Sequence, residues 1–241
     1  MAVAWFRMGR YQGCMGKRAE SDDVDTLRRN VEWALRNALD ADEVLPMLAK
    51  LARSAEPESD AWVLAHRHLA ELAVDRDPWR SAIFARRVVK VDPDDDGAWA
   101  VLGLAQTLLG NYRYAAASYR RAIALAPQNP WYAHNLGHLL DVALGRPGDA
   151  VALLAEAYKH EPKEGEIAAS YAHALARAGK LAQAKKVLRR VVAKGATAEQ
   201  MILWRWIEQG APTQSGSPKG PGSPTRPKSK KRPRPAQRSQ R

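Results

Sequence analysis

Apolar residues recur at helical spacing through most of the chain. Val24, Leu27, Val31, Leu35 and Leu39, then Val44, Leu48 and Leu51, predict two helices over 23–39 and 42–54, with Asp40 placed to cap the second. No stretch alternates apolar and polar as a half-buried strand does, so the chain reads as all-α. From Pro93 onward the pattern repeats. Gly103, Gly137 and Ala172 recur at spacings of 34 and 35, as do Ala115, Ala150 and Ala184, and Tyr119, Leu154 and Leu188. A period near 34 predicts stacked helical pairs, because one pair cannot bury its apolar face without neighbours. The organisation that follows is a leader over 1–21, a helical hairpin with a degenerate unit over 22–95, repeats over 96–129, 130–164 and 165–198, a capping helix over 199–210 and a tail over 211–241.

The first repeat contains Trp99-x-x-Leu102-Gly103-x-x-Gln106, then Ala115-x-x-x-Tyr119, Ala122 and Pro127. It resembles the tetratricopeptide repeat, whose pattern is W-x-x-L-G-x-x-Y, A-x-x-x-F and P; only Gln106 departs, in the Tyr slot. The second repeat keeps Ala133, Leu136, Gly137, Ala150, Leu154, Ala157 and Pro162, and the third keeps Tyr171, Ala172, Gly179, Ala184 and Leu188. The resemblance implies a right-handed α-solenoid of antiparallel helix pairs that binds other proteins and has no catalysis of its own. Gly103 and Ala115 are small enough to let helix backbones approach, Pro127 ends a helix, and Gly110 with Asn111 makes the reversal. The second repeat carries one extra residue: Gly137 to Gly145 spans eight steps where Gly103 to Gly110 spans seven. The insertion lengthens the turn around Pro147 and Gly148 or sits in the first helix as a π-bulge, and the longer turn is the expectation.

In such an array the first helix of each pair lines the inner face. His134, His138 and Asp141 stand at i, i+4 and i+7, and His173 holds the slot matching His138 in the next repeat. With Asn135, Glu166 and Ala169 they form the candidate partner-binding groove. Three imidazoles and a carboxylate suit zinc or a hydrogen-bonded peptide equally in type; the expectation is a peptide or helix, with no metal and no cofactor. The family's carboxylate clamp is matched at Asn135 alone, with Ala100, Leu104, Glu166 and Ser170 in the other slots, which argues against it. No H-E-x-x-H, G-x-S-x-G or phosphate-cradling glycine loop is present, so no enzyme is expected. In the last helix Ile202 and Trp206 point one way, Met201 and Trp204 another. Either Trp204 folds back on the third repeat or it anchors a partner or a second copy of the chain.

Charge changes the picture only at the end. Nine of the twelve net positive charges lie after Gly210, in a segment with seven prolines, five serines and no acid, predicting a disordered tail. Its cluster Lys228, Lys230, Lys231, Arg232 and Arg234 could contact nucleic acid or another anion through phosphates, without base stacking because the tail has no aromatic residue. The net charge of +3 left for the body is unremarkable. Cys14 is the single cysteine, so an intramolecular disulfide is excluded and a reducing, cytoplasmic setting is expected. The apolar run Ala2 to Phe6 is too short to span a membrane. The sequence leaves oligomeric state open.

Overall fold

The computed structural model describes residues 24–211 apart from Lys194. The leader and the basic tail, with Lys228, Lys230, Lys231, Arg232 and Arg234, lie outside the described residues. Within them are eleven α-helices and no strand: α1 (Val24–Arg36), α2 (Ala41–Ser54), α3 (Asp60–Ala73), α4 (Pro78–Val91), α5 (Asp96–Leu108), α6 (Tyr112–Leu125), α7 (Pro130–His138), α8 (Pro147–His160), α9 (Gly165–Arg177), α10 (Leu181–Val192) and α11 (Ala198–Glu208). Each helix packs on the next, making an α-solenoid of consecutive antiparallel pairs.

Local chemistry sets the helix ends. Ser59, Asp77, Asp95, Asn129 and Thr197 each accept a hydrogen bond from a backbone N–H of the first turn they precede. Thr197 and Gln200 form a reciprocal capping box at α11. Asp40 stands at the cap position of α2 but makes no side-chain cap bond, against the sequence expectation. Gly110 and Gly179, at φ 75° and 78°, turn the chain between the helices of their pairs in a conformation that a Cβ disfavours.

The extra residue of the second repeat is not in the turn. Leu139–Ala143, directly after α7, forms a π-helix, which takes up the insertion inside the first helix of the pair and corrects the expectation of a longer turn. The stretch before the first repeat, whose sequence fits the repeat pattern poorly, still forms a helical pair: α3 and α4 pack on each other, and α4 packs on α5 as α8 does on α9.

Close approach between the two helices of a pair is enforced by what the signature positions lack. A Cβ on Gly103 would fall 2.7 Å from Tyr119 Cδ1, and one on Gly137 would fall 2.6 Å from Leu154 Cγ. Tyr119 and Leu154 are fully enclosed, at 1% and 0% exposure. The third repeat meets the same demand with Ala172 and Leu188, both at 0%. Apolar clusters follow one another along the stack, the last joining α9, α10 and α11 through Leu175, Ala184, Leu188 and Ile207, with Trp204 folded against it.

Gly103→Ala is expected to lose about 1–3 kcal/mol in urea unfolding, because Tyr119 must leave its rotamer to admit the methyl group. Gly137→Ala should behave alike. Gly148→Ala is the control: a Cβ there meets nothing within 4 Å, so stability should hold or rise.

Candidate functional site

The first helices of successive pairs touch one another, α3 with α5, α7 with α9 and α9 with α11, whereas the second helices make no comparable contact. The first helices therefore form the inner row. From α3 to α11 a side-chain contact crosses that row at each step, polar at the first three and a ring stack at the last. Asp95, which caps α5, also receives Arg67 of α3 at 2.5 Å. Tyr132 of α7 donates its hydroxyl to Asp96 Oδ2 of α5 at 2.6 Å. His134 of α7 meets Ser170 of α9 at 3.0 Å through Nε2. His173 of α9 stacks its ring on Trp206 of α11, with centroids 5.4 Å apart.

The densest of these contacts centres on the π-helix. Asp141 is 1% exposed and sits on the turn that the insertion widens. His173 Nδ1 lies 2.5 Å from Asp141 Oδ2, and Arg177 donates Nη1 both to Oδ1 at 2.8 Å and to the Asp141 carbonyl. One buried carboxylate thus ties the end of the α7 segment to two successive turns of α9. A widened turn frees a backbone carbonyl, and Arg177 is the donor that satisfies it.

The seven groove residues do not share one surface. His134 and Asp141 are buried, at 4% and 1%, and serve the contact between repeats instead of facing a ligand. Asn135, His138, Ala169 and His173 are half-buried and Glu166 is exposed, so these five are the ones a partner can reach. Sequence spacing placed Asp141 on the same face as His134 and His138 by assuming an unbroken α-helix; the π turn breaks that assumption. Ser170 and Arg177, absent from the candidate set, complete the site; each lies 36 residues from its partner, beyond the repeat period of 34 to 35, so repeat alignment does not pair them. Both ring nitrogens of His134 are engaged. His134 Nδ1 lies 3.2 Å from Asn135 Oδ1 and Nε2 lies 3.0 Å from Ser170 Oγ. Among the described residues no three His, Cys, Asp or Glu side chains are arranged to hold a metal ion.

Burial pushes the His134 pKa down to about 4, with the neighbouring His138 adding to the effect. His138 is lowered too, by burial first and then by His173. The two α7 imidazoles are therefore held toward their neutral form. Burial, with Glu164 and Glu199 nearby, raises the pKa of Glu166.

These shifts fix a pH dependence. Between pH 6.5 and 4 the unfolded chain binds a proton at His134 that the folded chain refuses. The folded state thus holds its full His134 contribution above pH 6.5 and loses about 3 kcal/mol of it as pH falls toward 4. Urea unfolding of the parent and of His134→Gln, measured at several pH values, should diverge in slope across that window. Asp141→Ala should cost about 1–3 kcal/mol at neutral pH, because the Arg177 and His173 donors lose their acceptor.

The sequence of residues 97–129 matches the family described as Tetratricopeptide repeat, and residues 141–201 match a second family of the same description. The unmatched interval between them runs into the π-helix, where the insertion breaks the repeat register. No curated protein matches the chain in sequence. Among solved structures the fold is similar to that of MamA protein, at 20% identity and TM-score 0.59 over 73% of this chain and 97% of that one. It is also similar to MamA from Desulfovibrio magneticus RS-1, at 18% identity and TM-score 0.62 over 73% and 96%. A Pseudomonas aeruginosa PilF structure aligns at 16% identity and TM-score 0.63 over 77% and 83%. With two matched segments and a stack of helical pairs around the signature glycines, the chain is a tetratricopeptide repeat protein.

Proposed function

We propose that this protein is a non-catalytic scaffold that holds a segment of another protein, a peptide or a helix, along the inner row of first helices. The observation that carries this reading is the set of side-chain ties, polar and aromatic, across α3, α5, α7, α9 and α11. They order the row before any partner arrives, so binding loses little conformational entropy. The reachable side chains, Asn135, His138, Glu166, Ala169 and His173, mix amide, imidazole and apolar surface and suit an amphipathic ligand better than a highly charged one. Tetratricopeptide repeats as a family act as protein-binding modules, which supports the general assignment.

A second reading is favoured by the charge of the tail. Lys228, Lys230, Lys231, Arg232 and Arg234 lie in a segment of nine cations and no acid, which suits sequence-independent contact with phosphates.

The first reading is tested by affinity capture with the full chain and with a variant combining His138→Ala and Glu166→Arg, both at positions reached from the inner row. Proteins retained by the parent should be lost by the variant and kept by Ala117→Arg, which changes an exposed position on α6. Loss with Ala117→Arg and retention by the inner-row variant would move the binding surface elsewhere.

A further inference from the structure

The positive charge of the described residues is sorted by helix. The second helices α4, α6 and α10 carry Arg80, Arg86, Arg87 and Lys90, then Arg113, Arg120 and Arg121, then Lys185, Lys186, Arg189 and Arg190, and hold no acid. The first helices α3, α5 and α9 carry Asp60, Glu71, Asp96 and Glu166 against Arg67 and Arg177. Two second helices do carry acids: α2 has Asp42 and Glu43 beside Lys50 and Arg53, and in α8 Asp149 is held by Arg146, and Glu156 by Lys159 and His160. Arg80, Lys90 and Arg121 are paired with Asp77, Glu58 and Asp94. Arg86, Arg113, Arg120, Lys186 and Arg189 are exposed and have no acidic partner among the described residues. A modest net charge for the body conceals this separation, because the acids are largely paired or lie on other elements.

The second observation is aromatic. Two surface grooves open on the side of the second helices, at equivalent positions two repeats apart, and each sets rings beside cations. Between α4, α5 and α6 the walls include Trp99 and Tyr114 with Arg86 and Arg121. Tyr114 is 70% exposed, which core packing does not explain. Between α8, α9 and α10 they include Tyr158 and Tyr171, with ring centroids 5.6 Å apart, beside Lys186 and Arg190. Arg121 and Arg190 hold the same slot, 69 residues apart.

We infer that this second-helix face binds a single-stranded polynucleotide independently of its sequence. Unpaired guanidinium and ammonium groups spread over α4, α6 and α10 match the regular charge of a phosphate chain, and rings at the groove mouths supply planar faces for bases. An anionic bilayer requires apolar anchors among the cations. Of the exposed large side chains, Trp33, Leu108, Leu109, Val142 and Ile202 lie on other elements, which leaves Trp79 on α4 and Tyr114 on α6, two isolated rings with no exposed aliphatic side chain beside them on this face. The inference goes beyond tail contact, since it places binding on the folded repeats and supplies the rings that the tail lacks.

The test uses the full chain and a fluorescent oligouridylate of about 20 nucleotides, with binding measured by anisotropy across salt concentrations. Changing Arg86, Arg120, Lys186 and Arg189 together to Gln should weaken binding by about tenfold or more and reduce the salt slope by about 3, one contact per cation. Tyr114→Ala with Tyr158→Ala should weaken it by about fivefold or more without changing the slope. A third variant, with Lys228, Lys230, Lys231, Arg232 and Arg234 changed to Gln, should keep the dependence on the four face cations. Thermal melts check that each variant stays folded, which is expected because every substituted face cation is exposed. The inference is overturned if the face variant binds like the parent while the tail variant loses all affinity, a result that would leave tail contact standing. It is also overturned if a duplex, phosphatidylglycerol vesicles or polyglutamate of equal charge binds as tightly as the single strand, or if the parent does not bind.

Discussion

The distance between the two helices of a pair is the quantity on which this architecture depends. Gly103 under Tyr119 and Gly137 under Leu154 bring the backbones together to the point where no side chain fits between them. A pair closed that tightly still exposes one apolar side, and only the next pair can cover it. Cohesion is then local to each step, and a defect in one step need not propagate. The chain contains such a defect, the inserted residue of the second repeat, and it is held in place by a specific device instead of being expelled to a loop.

That device is Asp141. A π turn widens the helix and costs backbone hydrogen bonding, so it persists where tertiary contacts repay the loss. Here the repayment comes from the neighbouring repeat, whose Arg177 satisfies both the carboxylate and the carbonyl of the same residue while His173 takes the other oxygen. His173 in turn stacks on Trp206, so the capping helix is joined to the distorted turn through one imidazole. The arrangement is more polar than a repeat junction built on apolar packing alone, and each of its members needs the others: a buried carboxylate without its donors would destabilise the fold.

Much of this was legible in the sequence, for identifiable reasons. Period, helix pairing and the role of Gly103, Gly137, Ala115 and Ala150 are packing constraints that recur in every copy, so each copy corroborates the next. The insertion was visible as a count of residues, but its location was not. Turn and π-bulge consume the same extra residue, and the choice between them is made by Arg177, a partner 36 positions away. The burial of His134 was hidden for a related reason. Helical spacing gives the face of a residue on its own helix, whereas its exposure depends on whether Ser170 of the next repeat lies over it. Charge misled in a third way. Summed over the body it came to an ordinary value, because a sum discards which helix bears each charge, and alternating helices face opposite ways.

The separation of charge has a physical rationale within the fold itself. In the interior of the stack the first helices are crowded by their partner and by neighbouring first helices, and the cations of α3 and α9 are matched there, Arg67 by Asp95 and Arg177 by Asp141. Second helices have a wider free side, where an unpaired arginine stays hydrated at little cost. Crowding alone would equally permit acids on that side, yet α4, α6 and α10 hold none. Tolerance of exposed charge explains why cations are allowed on the second helices. It does not explain why the sign is the same on all three, and like charges repel one another and tax stability when nothing offsets them. A polyanionic ligand supplies the missing offset.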